Sequence, residues 1–171
     1  MFSVGNAAVS IVEEASWAAQ LWSLSIGPGD AAFRLGAALF CGFVLGVDRE
    51  WRQRPAGLRT HMLVSLASAV FTIIAFEIFE RVRGLEPDAT ADPLRLLEAI
   101  TAGVAFLAAG TIIRRSGEIE GLTTGAGLWL SGAIGMACGQ GLYGLATVAA
   151  VLAFAVLTIL RRVEGWLHRS R

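Results

Sequence analysis

The chain has 171 residues, 55% of them apolar and 16% charged, with a mean hydropathy of +0.63. A soluble core of this size does not hide so much apolar surface, and the apolar residues run in long blocks, so the composition excludes an ordinary soluble domain and makes the lipid bilayer the expected solvent. Fourteen acids balance fourteen basic residues, all of them arginine, and such a neutral chain exerts no general pull on nucleic acid.

Residues 1–30 read as an N-terminal segment on the periplasmic side. They lack the basic start of a secretory signal and carry Glu13 and Glu14 in mid-segment. Val9, Ile11, Trp17, Leu21 and Trp22 suggest an amphipathic helix over 7–24 lying at the interface, a frayed tail being the alternative. The run from Ile26 to Asp30 breaks it, and Asp30 is placed to cap the next helix.

Five apolar blocks follow, at 31–47, 59–79, 96–113, 122–139 and 142–160. Each approaches the roughly 20 residues that cross a hydrocarbon core about 30 Å thick. The expected fold is an all-α membrane protein: a bundle of five transmembrane helices over 31–160, then a short basic cytoplasmic tail over 161–171. The fourth block is the weakest, being rich in Gly and Thr. Gly139-Gln140-Gly141 leaves room only for a tight turn, which makes the last two helices an antiparallel hairpin.

Arginine placement orients the bundle. Arg49, Arg52, Arg54, Arg59, Arg114, Arg115 and the four arginines after residue 160 share one side, against Arg34, Arg81, Arg83 and Arg95 on the other. The arginine-rich side is expected in the cytoplasm, with the N-terminus outside, the C-terminus inside and the chain multi-pass in a bacterial inner membrane.

Helices in lipid associate through small residues. Gly127, Ser131, Gly135 and Gly139 make a nearly bare face on the fourth helix. Ala102, Ala105 and Ala109, with Gly103 and Gly110, mark the third, and Gly42 with Gly46 the first. These faces fit packing within one bundle or a subunit interface, so a homo-oligomer stays open.

Two polar clusters are candidates for function. The first joins helices one and two and holds Asp48, Arg49, Glu50, Arg59, Thr60 and His61. Arg34, Ala38, Cys41, Leu45 and Asp48 follow helical spacing, so Cys41 points the same way as Asp48. Asp48 either binds a cation or proton or pairs with Arg49, Arg52 or Arg59. The second cluster contains Arg114, a Ser116-Gly117 turn and Gly121-Leu122-Thr123-Thr124-Gly125. Thr123 and Thr124 either satisfy loosened backbone at an irregular helix start or serve as a plain N-cap. Glu77 and Glu80 mark the outer end of helix two. Glu98, about a turn into helix three, is an intramembrane acid and a candidate by default, unless it lies shallow enough to be solvated.

No HExxH, P-loop or GxSxG is present, so no enzyme and no cofactor are expected. Cys41 and Cys138 fall in apolar blocks and form neither a disulfide framework nor a CxxC metal site.

Gly42-Phe43-Val44-Leu45-Gly46-Val47-Asp48-Arg49-Glu50, followed by Ala56-Gly57-Leu58-Arg59-Thr60-His61, resembles the first signature of the MgtC/SapB family of bacterial inner-membrane proteins. Asp92-Pro93-Leu94-Arg95, the run Gly103 to Ile113, and Gly121-Leu122-Thr123-Thr124 with Trp129 resemble the second. The family usually has Glu at Asp48, glycines at Ala105 and Ala108, and Gln at Ala99. The resemblance implies a short form without the cytoplasmic domain that longer members carry. It also implies an association with growth at low magnesium, survival of intracellular pathogens and inhibition of the membrane ATP synthase. The expected function is therefore non-enzymatic: binding and modulating other membrane proteins in adaptation to low magnesium or acid stress. The alternative is a small cation (Mg²⁺) or proton transporter or channel, with Asp48 and Glu98 as its carboxylates.

Overall fold

The structure, a computed structural model, describes residues 25–85, 92–115 and 117–160. The expected interfacial helix over 7–24 and the basic tail over 161–171 lie outside the described residues. Among the described residues five α-helices follow one another: α1 (Pro28–Trp51), α2 (Leu58–Leu85), α3 (Pro93–Ala109), α4 (Leu122–Gly139) and α5 (Tyr143–Ala155), the last continuing into a π-helical turn, Val156–Leu160. Strands β1 (Ile113–Arg115) and β2 (Glu118–Glu120) form a small antiparallel hairpin between α3 and α4, with Ile113 opposite Glu120 and Arg115 opposite Glu118.

The chain is helical, as expected, and the helices occupy the five apolar blocks. By length and composition two of them, Pro28–Trp51 and Leu58–Leu85, are long and apolar enough to cross a membrane. The 17 residues of α3 extend only roughly 25 Å at about 1.5 Å each, short of a 30 Å core. The block over 96–113 suggested a helix reaching residue 113. It ends early because Gly110 caps it, the Thr111 hydroxyl donates to Ala108 O at 2.7 Å, and Ile113 pairs in the hairpin.

Helix starts follow local chemistry. Pro28 sits in the first turn of α1 behind Gly27, where a missing N–H costs nothing. Asp30 is thus not the N-cap; it holds Arg34 one turn on, at 2.7 Å. Asp92 caps α3, accepting from Leu94 N at 2.9 Å. Gly121, at φ +90°, stands before α4, and the helix is regular from Leu122, with Gly125 N bonded to Gly121 O at 2.8 Å. The threonine N-cap is corrected: Gly121 takes that position, and the irregularity of the helix entry is confined to its left-handed conformation, which glycine adopts readily.

α4 is the central element, packed on α1, α2, α3 and α5. Its bare face meets the α2 backbone within the chain. A Cβ at Gly139 would stand 2.7 Å from Ala69 O, and one at Gly135 would fall on the Ser65 carbonyl. On α1, Cβ atoms at Gly42 and Gly46 would come within 2.7 Å of the Met62 and Leu58 Cα atoms. Ser65 adds an interhelical bond, its hydroxyl donating to Ala38 O at 2.8 Å. The buried core between α1, α4 and α5 includes Ala38, Leu45, Ile134, Cys138, Ala146 and Ala150, with Ala69 from α2.

α3 lies at the edge. It packs through Val104 and Ala108, which meet Val64 and Leu128. Ala102, Ala105 and Ala109 are exposed and Gly103 has open space beside it, so the small-residue face expected on this helix points away from the bundle. Gly110 serves the turn instead of a helix contact.

The two ends of the bundle are distinct. At one, Arg34 Nη1 donates to Gly139 O at 2.8 Å, and Gly141 (φ +78°) turns the chain so that Leu142 N bonds Ala137 O at 2.8 Å. Glu77 is buried there, not merely an end marker: its carboxylate accepts from Ser25 N at 2.5 Å and Ser25 Oγ at 2.6 Å, tying down the segment before α1. At the other end lie the arginine-rich loops.

Candidate functional site

The connection from α1 to α2 is held by its own side chains. Glu50 Oε2 accepts from Leu58 N at 2.9 Å, satisfying an orphan amide at the start of α2. His61 Nδ1 donates to Gly57 O at 2.9 Å, and the ring is fully buried. Asp48 is buried on α1 and accepts from Arg52 Nε at 2.7 Å, with Arg52 Nη2 at 2.6 Å. Of the partners open to Asp48, the structure selects Arg52, one turn further on.

Arg49 is an unusual group among the described residues. Its side chain is only 6% exposed, yet Nε and Nη2 have no hydrogen-bond partner among the described residues. His61 Nε2 is likewise buried without a partner. Both groups flank Gly127 on α4, where a Cβ would stand 3.2 Å from His61 Nε2 and 3.9 Å from Arg49 Nη2. Gly127 thus makes room for a histidine and an arginine, where Gly135 and Gly139 meet the α2 backbone.

Arg49 lines a 520 Å³ cavity at the arginine-rich end of the bundle. Asp48 and Arg54 come to it from the α1 end, Ile119 from β2, Thr123 and Thr124 from the first turn of α4. Val156 and Leu157, in the π-helical turn, close its far side. Its polarity is cationic: Arg49 and Arg54 carry the charge, the amino end of α4 adds a partial positive charge, and Asp48 is already paired with Arg52.

The two sequence clusters therefore meet, but only in part. Asp48, Arg49, Thr123 and Thr124 converge on the cavity. Glu50 stabilises the turn, and Arg59, Thr60 and Arg114 are exposed nearby without lining it. Cys41 lies deeper, where its thiol meets that of Cys138 across α1 and α4. Glu98 is exposed on α3 beside Leu94, Thr101 and Trp129, in a groove separate from Asp48. The two proposed carboxylates do not share a site. Arg54, Ile119 and the π-helical turn are site elements that sequence reasoning missed. Arg54 was one charge in a dense run, and nothing local marks Val156 or Leu157 as polar-site neighbours. Among the described residues, no group of three or more His, Cys, Asp and Glu is placed to hold a metal ion.

Comparison with known proteins places this arrangement. The family model described as MgtC family matches residues 35–166. YhiD of Escherichia coli K12, whose name gives it as a candidate magnesium transporter, is 39% identical over 127 residues, 74% of this chain and 58% of its own. Protein MgtC of Salmonella typhimurium is 38% identical over 125 residues, covering 73% and 50%. An uncharacterized protein of Synechocystis, slr0014, is 34% identical over 141 residues, covering 82% and 56%. The chain spans about half the length of the curated relatives it matches. No solved structure matches it.

Proposed function

The chain belongs to the MgtC family, and we propose that it is a non-enzymatic protein of the bacterial inner membrane that modulates other membrane proteins during adaptation to low magnesium or acid stress. In this reading all five helices lie in the bilayer, the short α3 and α5 included. The loops over 48–58 and 114–121 face the cytoplasm, the N-terminus lies outside and the C-terminus inside. The gathering of Arg49, Arg54 and the β1–β2 hairpin at one end supports a single polar face on the arginine-rich side. Alkylation of a Gln53→Cys variant lacking Cys41 and Cys138 tests the orientation. An impermeant maleimide is expected to label it in inverted vesicles and not in intact spheroplasts; the reverse pattern overturns the assignment.

One observation carries the functional reading: the polar cavity is lined by arginines, and the one carboxylate among its described lining residues is already paired. Mg²⁺ favours several oxygen ligands with retained waters, and a cationic lining repels it. Close helix contacts at Gly42, Gly135 and Gly139 also close the middle of the bundle. The name of YhiD favours the second reading, a cation transporter, in which Asp48 is a ligand.

Asp48→Asn separates the two. The Asp48–Arg52 pair is 11% and 32% exposed, between the surface and buried limits, so breaking it is expected to cost about 1–2 kcal/mol. In a deletion strain at limiting magnesium, growth should fall in proportion to the amount of variant in the membrane. Full loss of growth at wild-type protein levels would instead make the carboxylate itself essential.

A further inference from the structure

Arg49 lines the polar cavity at the arginine-rich end of the bundle. It is 6% exposed, and its Nε and Nη2, buried with Nη2 near Gly127, donate to no partner among the described residues, so its positive charge stands at the cavity wall without a hydrogen-bonded acceptor at those atoms. The first amides of α4 have no acceptors within the helix and no side chain caps them, and Leu122, Thr123 and Thr124 of that first turn line the same space. Arg54, exposed at the rim, makes no side-chain hydrogen bond or ion pair among the described residues. Guanidinium forks and a helix amino end are together the recognition chemistry of a phosphate. Asp48 also lines the cavity, but Arg52 neutralises it at 2.6 Å.

A second space continues from the first. Thr123, Val156 and Leu157 line both the polar cavity and a 420 Å³ groove that is almost wholly apolar, walled by Leu45, Leu130 and Leu152. Ala126, exposed on α4, forms part of its floor. A phosphate site opening directly into an apolar groove matches a molecule with an anionic head and a hydrocarbon chain.

We propose that this composite site binds an anionic phospholipid, the phosphate between Arg49, Arg54 and the amino end of α4, and an acyl chain along the Leu45–Leu130–Leu152 groove. The proposal rests on the membrane placement above, not on what the protein modulates. The lipid bridges the α1 end, the start of α4 and the end of α5, so its presence fixes the relative positions of three elements at the arginine-rich face.

The test uses the purified full chain in uncharged detergent and follows thermal unfolding as probes are added. Phosphatidylglycerol is expected to raise the unfolding temperature saturably, phosphatidylcholine with the same chains to leave it unchanged, and inorganic phosphate to act only at far higher concentration. Arg54→Gln, at an exposed position that leaves the core intact, should weaken the apparent affinity for phosphatidylglycerol about tenfold, the loss of one charge-assisted contact. Ala126→Leu, which fills the groove, should weaken it without altering the weak response to phosphate. Equal responses to the two lipids, or an unaffected Arg54→Gln variant, overturn the site. Phosphate matching phosphatidylglycerol mole for mole overturns the lipid as its source. A chain that restores growth at limiting magnesium but shows no lipid preference overturns this site and leaves the proposed function standing.

Discussion

Gly135→Leu is expected to be the most damaging single substitution in the bundle. Gly135 packs on the α2 backbone, where even a Cβ would fall on the Ser65 carbonyl, and a backbone atom cannot swing aside as a side-chain tip can. Overpacking a tight core typically costs about 1–3 kcal/mol. Here α2 as a whole must move, which also breaks the Ser65–Ala38 hydrogen bond, so a loss of about 3 kcal/mol or more is expected. Helices in lipid have few other sources of association. Thermal unfolding in detergent should show the loss with the oligomeric state unchanged, because the contact lies within one chain. Gly103→Ala is the control. Its site has open space, and alanine should stabilise α3 by about 0.5–1 kcal/mol by lowering the freedom of the unfolded chain. Equal destabilisation by both variants would contradict the packing described for α2, α3 and α4.

Gly121→Ala is expected to be the most damaging change near the cavity. Gly121 holds φ at +90°, which costs an L-residue about 1–2 kcal/mol, and its added methyl would strike the Thr111 carbonyl. Thr111 and Gly121 bracket the β1–β2 hairpin, so the strain separates the hairpin from the start of α4. A total loss of about 3 kcal/mol is expected. Because Gly121 and Ile119 both line the cavity, the variant should also lose the lipid-dependent rise in unfolding temperature. A variant with wild-type stability and lipid response would show that the hairpin is not fixed to α4.

Much of this was legible because hydropathy and small-residue spacing are local signals. The five apolar blocks locate the five helices, and the recurrence of Gly127, Ser131, Gly135 and Gly139 marks the face on which α4 meets α2. The same reasoning left Ala102, Ala105 and Ala109 open between packing within the bundle and a subunit interface, since spacing shows that a face is bare without showing whether another helix of the chain covers it; here none among the described residues does. The hairpin was reduced to a turn because Ile113 extends an apolar run, and the pairing of Ile113 with Glu120 is set across the turn. The polar clusters were visible as composition. Which of their members meet was not, because Arg54, Ile119 and Leu157 come together only through the docking of α1, the hairpin and α5. The burial of Glu77 under Ser25, 52 residues away, is invisible for the same reason.

The central claim is that this bundle presents an arginine-lined polar site at one face and conducts no cation. Uptake of Mg²⁺ into proteoliposomes that contain the purified chain and a trapped magnesium-sensitive dye tests it most directly. With an inward Mg²⁺ gradient and a membrane potential imposed, the rate should equal that of protein-free vesicles, for the wild type and for Asp48→Asn alike. Saturable uptake by the wild type that Asp48→Asn abolishes would contradict the account and make Asp48 part of a cation pathway.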